Sequence, residues 1–303
     1  MGNSSPHLLA GIFIDNLENE IHNNQVCCTV FGVGLVRFAN SPCTANSNLI
    51  GTCYRRRQCT DIDGSPAGNC ANGIGACCVI LRTCGETSSY NSTYFTNAAY
   101  PTPVTGSTRC TMTIQRCNPD ICQVRIDFLN FNLAQPNAMG VCNSDALFVT
   151  GGGGSVPVIC GENTGQHIYV DFNGNDTINL IITTSATGPS LGRVWNFLVT
   201  QIACACPTRA PSGCLQFFNT TTGTVSSFNY GVGSNVIDPT TGLPGTRQLV
   251  NENYGICVGM LPASSKPFVL TVVTNGDEVN DVANTGFSLS FMQLPCANNM
   301  FLG

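Results

Sequence analysis

The sequence predicts an all-β protein in which antiparallel β-sandwich units follow a small disulfide-rich module. Three observations predict this. The chain has 19 cysteines in 303 residues, it has 32 glycines and 16 prolines that supply turns, and its apolar runs are short and rich in β-branched residues. No stretch shows helical periodicity, so we expect strands and turns throughout. A net charge of −5 argues against a nucleic-acid partner.

The cysteine-dense module covers residues 39–80. Zinc sites use Cys-x2-Cys or Cys-x4-Cys spacing or histidine ligands, and here only Cys117 and Cys122 have such a spacing and the chain has three histidines. A thioredoxin-like Cys-x-x-Cys motif is also absent. The cysteines therefore predict a disulfide framework formed in an oxidising compartment. A bond between the adjacent Cys77 and Cys78 would be strained, so each needs a distant partner.

A secreted, extracellular location is the expectation from this framework. N-glycosylation sequons at Asn91, Asn175 and Asn219 agree with it. The poorly defined segment 1–38 has only a short apolar run at 8–14 and no convincing signal peptide. No segment approaches the about 18 uninterrupted apolar residues of a membrane span.

The first sandwich is predicted at residues 81–203. Within "CQVRIDFLNF", Val124, Ile126 and Phe128 alternate with Arg125 and Asp127, as in a strand with one solvent-exposed face. Glycine, asparagine and proline turns separate the predicted strands, and the last of them contains the only tryptophan, Trp195. These strands lie at 122–131, 146–150, 167–172, 177–185 and 193–204.

A linker at residues 204–213 is predicted to precede a second, similar unit at 214–303. The segment 295–303 resembles 141–149, since a cysteine precedes an apolar strand in both. The first copy continues through Cys160, whereas the second ends at Gly303 before a matching cysteine. The second unit is therefore expected to be incomplete at its C-terminal end. The odd number of cysteines agrees with this expectation.

Several of these motifs resemble the CUB domain family. They are "TCG" at Cys84, "FLNFNL", "VCNSDALFV" and "ICG" at Cys160, and they occur in the order that CUB domains have. Residues 30–303 are similar to secreted CUB-repeat proteins of arthropods, and the module at 39–80 resembles a clip domain. The resemblance implies a CUB-like jelly-roll fold for the sandwich units.

Disulfide pairs also follow from the resemblance. Six cysteines permit many connectivities, so the sequence alone does not choose among them. Cys27, Cys28, Cys204, Cys206 and Cys296 stay unassigned. The clip and CUB patterns, with one local extra at Cys117, imply the pairs Cys43–Cys77, Cys53–Cys70, Cys59–Cys78, Cys84–Cys110, Cys117–Cys122, Cys142–Cys160 and Cys214–Cys257.

Calcium is expected to be absent from the first unit. The resemblance implies a site built from three acidic positions, of which only Asp145 is acidic here. The first position is Ala134-Gln135 and the late one is Thr184-Ser185, and in the second unit Asn299 replaces the aspartate. One carboxylate is a poor site for a cation that takes six to eight oxygen ligands. We therefore predict no metal and no cofactor.

No catalytic site is predicted. "GPSLG" around Ser190 formally matches a nucleophile elbow, but neither a helix pattern nor a histidine follows it. His167, Tyr169 and Asp171 share one face of a predicted strand and are interpreted as a surface or barrel-end cluster.

The sequence therefore predicts a secreted, non-enzymatic protein that engages extracellular proteins or glycans, since CUB domains mostly bind through loops at the sandwich ends. This step rests on analogy from the fold. Two alternatives stay open. The chain is the non-catalytic, regulatory part of a modular extracellular serine protease, or it is a structural component of extracellular matrix or cuticle.

Overall fold

The computed structural model describes residues 40–186, 192–231, 247–259, 267–276 and 284–293. Strands account for 49% and helices for 4% of it, which confirms the all-β prediction. In chain order the elements are β1 Pro42–Thr44, β2 Ile50–Tyr54, α1 Arg56–Asp61, β3 Ser65–Cys70, β4 Gly75–Arg82, β5 Thr87–Ser88, β6 Thr93–Thr96, β7 Thr108–Ile114, β8 Ile121–Asn132, β9 Ala146–Thr150, β10 His167–Asp171, β11 Ile178–Thr184, β12 Val194–Ala203, β13 Cys214–Phe218, β14 Thr222–Ser226, β15 Asn253–Val258, β16 Phe268–Val273 and β17 Ser288–Met292.

Two sheets form the first sandwich. The larger sheet has the order β1-β2-β4-β6-β12-β8-β10, with β3 also paired to β4, and the smaller has the order β5-β7-β11-β9. Most pairs are antiparallel, as predicted, but β4–β6, β5–β7 and β13–β15 are parallel. The alternation along β8 is as expected, because Val124, Ile126 and Phe128 are fully buried and face the other sheet.

Aromatic side chains fill the centre of this core. Trp195 and Phe197 of β12 both pack with Phe95 of β6, and Phe197 also packs with Phe128 and Phe131 of β8, with ring centroids 4.8–6.1 Å apart. Their edge-to-face and tilted arrangements add to the apolar burial. The run that contains Trp195 is therefore a central strand, which explains why it is almost continuously apolar.

The cysteine-rich module continues the larger sheet. Strand β4 pairs with β2 and β3 of the module and, through Ile80 opposite Thr93, with β6 of the sandwich. The predicted boundary between residues 80 and 81 therefore falls inside a strand. Val79 and Cys77 pack against Tyr94 and Leu198 of the sandwich. The module thus obtains part of its core from its neighbour.

The short helix α1 departs from the prediction of strands and turns alone. It has six residues, of which Cys59 alone is buried. A single turn and a half is too short to produce a periodic apolar pattern, so the sequence carries no helical signal there. The Cys59–Cys78 disulfide fixes this helix to β4. The basic residues Arg56 and Arg57 are exposed on it, as expected of a solvated segment.

Seven disulfides join described cysteines. Six coincide with the pairs that the resemblance implies, and the Cα–Cα distances of all seven are 4.6–5.9 Å, in the range that a disulfide requires. The Cys117–Cys122 pairing is wrong, because Cys122 is bonded to Cys204. Strands β8 and β12 are neighbours, with Ile121 opposite Ala203, and this register brings Cys122 and Cys204 together. Cys117 is also disulfide-bonded.

The second unit contains a three-stranded sheet, β13-β15-β16, and a two-stranded sheet, β14-β17. Its Leu215, Phe228 and Ile256 belong to the same buried cluster as the core of the first sandwich. The predicted linker lies against that sandwich, since Gln123 exchanges two hydrogen bonds of 2.9 and 3.1 Å with the main chain of Ala210. In the part of the chain that the structure describes, no helix has the length and apolarity needed to cross a membrane.

Candidate interaction site

Two loops of the first sandwich, the β8–β9 and β11–β12 connections, meet at the carboxylate of Asp145. Its Oδ2 accepts hydrogen bonds from the main-chain N–H of Ala134 at 2.8 Å and from Nε of Arg193 at 2.6 Å, and its Oδ1 accepts one from the N–H of Ser185 at 3.0 Å. Ala134 and Ser185 follow β8 and β11, whereas Asp145 and Arg193 precede β9 and β12. We call this end of the sandwich, with residues 134–145, 161–164, 185 and 193, the loop end.

The Asp145–Arg193 ion pair is almost completely buried, with 0% and 2% of the two side chains exposed. A buried carboxylate needs compensating charge and hydrogen bonds, and here one guanidinium and two main-chain N–H groups supply them. The pair therefore fixes the loop end from inside the fold.

The residues at this end do not fit a calcium ion. Asp145, the one acidic residue of the expected set, is already paired with a cation. The other expected positions are also engaged, since Gln135 Oε1 accepts a hydrogen bond from Asn229 and Thr184 Oγ1 donates one to Gly106. Across the described residues no three His, Cys, Asp or Glu side chains form a metal-binding group. Calcium needs six to eight oxygens, which this arrangement does not offer.

Asn229 of the second unit lies against the loop end and is 0% exposed. Its main-chain N–H donates to Asn163 Oδ1 at 2.7 Å, and its Oδ1 accepts from the N–H of Glu162 at 2.9 Å. Its Nδ2 donates to Gln135 Oε1 at 2.8 Å and to the carbonyl of Arg247 at 2.9 Å. The carbonyl oxygen and both N–H donors of the side-chain amide thus have partners, as buried polar groups require.

Two glycines of the loop end permit this contact. A Cβ on Gly161 would lie 2.0 Å from Asn229 Oδ1, and one on Gly140 would lie 2.6 Å from the carbonyl oxygen of Gln248. Both glycines also have positive φ, +80° and +72°, which disfavours any side chain. The carbonyl of Gly140 accepts a hydrogen bond from the N–H of Val250. The second unit therefore approaches the main chain of the loop end directly.

His167 and Tyr169 are also covered by the second unit, so the surface position allowed by the interpretation as a surface or barrel-end cluster is wrong for these two residues. They are 5% and 8% exposed, and His167 Nε2 lies 3.1 Å from the carbonyl oxygen of Phe217 in β13. Burial, with the Arg125 guanidinium nearby, lowers the pKa of His167 to about 4. Asp171 alone of the three stays partly exposed and pairs with Arg209 at 3.1 Å.

The structure does not assemble the formal catalytic candidates. Ser190 lies outside the described residues. His167 is the only histidine among the described residues. Its ring nitrogen is bonded to main-chain atoms of a neighbouring strand, which is the arrangement of a structural histidine.

The sequons differ in exposure. Asn91 is 2% exposed, and its Oδ1 accepts hydrogen bonds from the N–H groups of Ser92 and Gln201 at 2.9 and 2.8 Å. A glycan on this side chain would have to pass through the packed interior, so the burial of Asn91 argues against the glycosylation predicted there. Asn175 and Asn219 are exposed, and glycosylation there stays a prediction.

Sequence reasoning missed three residues. Arg193 has a weak signal, since it is the one charge at the start of a buried apolar strand. Asn229 stands between two aromatic residues and adopts a φ of 58°, which asparagine tolerates, but nothing in the sequence shows what it contacts. Glu252 is 4% exposed, its Oε2 has no hydrogen-bond partner among the described residues, and burial raises its pKa to about 8.

Comparison with known proteins agrees with the fold. The family model of the CUB domain matches residues 84–192, and that of the animal CUB domain matches residues 211–264. A comparison with curated protein sequences finds no match.

Solved structures similar to the chain include the CUB2 domain of MASP-1 bound to Ca2+. That comparison has 19% identity, covers 39% of this chain and 98% of that one, and has a TM-score of 0.32. The CUB1-EGF-CUB2 domains of rat MASP-1 show 11% identity, 68% and 98% coverage and a TM-score of 0.30. The extracellular region of zebrafish Gpr126/Adgrg6 shows 14% identity, 72% and 33% coverage and a TM-score of 0.33. With two family models matching separate stretches of the sequence, the chain contains CUB domains.

Proposed function

We propose that this protein is a secreted, non-enzymatic binding protein whose CUB domains engage extracellular proteins or glycans. The observation that carries the proposal is the presence of CUB domains in a fold with seven disulfides between described cysteines. CUB domains are non-catalytic and mediate protein–protein interaction in extracellular proteins. Disulfides persist in oxidising compartments, which supports the same location.

The state of the described polar groups supports binding over catalysis. His167 is neutral around pH 7 and bonded to the main chain of Phe217, and Asp145 is neutralised by Arg193. Both groups are buried and engaged within the fold, so neither faces a substrate in solution. The exposed Asn175 and Asn219 are accessible to the glycosylation machinery of the secretory pathway.

The test is a pulldown of partners from extracellular fluid with the full chain as bait. Disulfide mapping first shows that the bait carries the Cys122–Cys204 bond and the six other bonds between described cysteines. The matched control is the same bait after reduction and alkylation with iodoacetamide, which has the same sequence and net charge but no native fold. We expect partners that the native bait retains and the control does not. Eluates treated with endoglycosidase distinguish a glycan ligand from a protein ligand. Identical retention by both baits, or turnover of peptide or ester substrates by the native chain, would contradict the proposal.

A further inference from the structure

The loop end combines two features that sequence reasoning did not connect. A buried ion pair, Asp145–Arg193, joins the ends of four strands, and a buried side chain of the second unit, Asn229, is hydrogen-bonded beside it. Gln135 links the two, because it follows Ala134, whose N–H bonds Asp145, and its own side chain accepts from Asn229.

We propose that the loop end of the first sandwich is an internal, calcium-independent docking surface for the second unit, with Arg193 as its resident cation and Asn229 as the residue that it recognises. The inference does not depend on the proposed function, since it concerns how the two units are joined.

Arg193 alone supplies the positive charge that the buried Asp145 carboxylate needs. A guanidinium supplies one positive charge and directed N–H donors, and its Nε lies 2.6 Å from Asp145 Oδ2. The N–H groups of Ala134 and Ser185 satisfy the remaining acceptor positions that face them. A metal ion at the same carboxylate would have to approach a buried guanidinium of like sign.

The contacts of Asn229 make the docking specific. An asparagine amide presents one acceptor and two donors, and all three match groups of the loop end or of Arg247. The close approach depends on Gly161, where any Cβ would overlap the amide. Further hydrogen bonds run from Gln166 Nε2 to the carbonyl of Ser227 and from Val250 N–H to Gly140. While the second unit is docked, these groups are closed to an external partner.

Calcium independence is tested on the unaltered protein. Its melting temperature is measured in EDTA and in about 5 mM CaCl2, above the roughly 10⁻⁴–10⁻³ M at which extracellular calcium modules bind. Titration calorimetry with Ca2+ alone is run beside it. We expect the same melting temperature in both buffers and no binding heat. A higher melting temperature in calcium, or saturable Ca2+ binding that Asp145→Asn abolishes, overturns the proposal.

The role of Arg193 is tested against a matched arginine. Arg193→Met should lower the melting temperature by on the order of 10 °C, because it leaves a buried carboxylate without its counter-charge. Arg209→Met is the control, since Arg209 pairs with Asp171 in a half-exposed geometry, and a shift of about 2 °C or less is expected. Equal shifts in the two variants would mean that Arg193 has no special role.

Docking is tested by hydrogen–deuterium exchange of peptides covering 134–141 and 160–166. Asn229→Ala should increase exchange in these peptides at least about tenfold, since local opening of a buried hydrogen-bonded surface governs exchange. Asn253→Ala, an exposed asparagine of the same unit, is the control and should leave them unchanged. Unchanged exchange in Asn229→Ala would overturn the docking proposal even if the calcium result stands.

Discussion

Glu252 gives the sharpest prediction about this fold, because its buried carboxyl makes stability depend on pH in an unusual direction. Burial raises its pKa from 4.5 to about 8, so the folded protein keeps a proton that the unfolded chain releases. The contribution of this protonated carboxyl to stability is fully present below pH 4.5 and is lost as the pH rises towards 8.

His167 acts in the opposite sense. Its pKa falls from 6.5 to about 4 on folding, so between these values the unfolded chain holds a proton that the folded protein lacks. Stability from this group is full above pH 6.5 and decreases as the pH falls towards 4. Between pH 4.5 and 6.5 the two slopes cancel, and from 6.5 to 8 the decrease due to Glu252 is uncompensated. At about 1.4 kcal/mol per pH unit, this decrease reaches about 2 kcal/mol.

The assay is urea unfolding of the oxidised chain at intervals between pH 4 and 8.5. We expect a plateau between pH 4.5 and 6.5 followed by a decrease in the free energy of unfolding. Glu252→Gln keeps the side-chain shape without an ionisable group, so the decrease above pH 6.5 should disappear. His167→Gln should remove the plateau and leave a continuous decrease from pH 4.5. Asp120→Asn, which removes an exposed carboxylate, is the control for the change in net charge. Parallel profiles for the unaltered chain and Glu252→Gln would refute the reasoning.

The remaining predictions concern packing, cross-links and modification. Phe197→Ala removes a fully buried ring that contacts Phe95, Phe128 and Phe131. It should lower the free energy of unfolding by about 3–5 kcal/mol. Leu129→Ala, at a 43% exposed position of β8, is the control and should have a small effect by the same measurement. Replacing both Cys122 and Cys204 with serine opens a loop of 82 residues and should cost roughly 2–5 kcal/mol; an unchanged denaturation midpoint would show that the bond does not constrain the unfolded chain. In a secretory expression host, endoglycosidase should shift the mass at Asn175 and Asn219 but not at Asn91, among the three sequons that the structure describes, and a glycan found at Asn91 would contradict its burial.

The sequence predicted the fold better than it predicted the candidate site. Alternation at Val124, Ile126 and Phe128 reports directly on which side of a strand is buried, because the period of a strand is local. The docking of the second unit is not local. Asn229 contacts Gln135 and Glu162, which lie 94 and 67 positions away in the sequence. The Cys117–Cys122 prediction failed for the same reason. It was based on proximity in the sequence, whereas the Cys122–Cys204 bond depends on the pairing of β8 with β12, which the sequence does not show.

At Asp145, too, the sequence predicted only part of the arrangement of charged groups. The sequence shows that acidic residues are absent from the other expected positions, and from this we predicted a poor calcium site. The identity of the group that replaces the metal was not readable, because Arg193 belongs to a different strand end 48 positions away. A buried charge in an otherwise apolar strand is a signal that a partner exists, but the sequence does not show which carboxylate it is.

The strand shared by the module and the sandwich has a consequence for any shortened version of this chain. A chain beginning at residue 84 would lose β4 and leave the main-chain N–H and C=O groups of β6 unpaired along one side. Tyr94 and Leu198, now 1% and 9% exposed, would lose the cover of Val79 and Cys77. An open edge beside apolar side chains is a template for pairing between molecules, so such a fragment would tend to form multimers or aggregates. The cysteine-rich module thus covers the strand edge and the apolar side chains that the sandwich would otherwise expose.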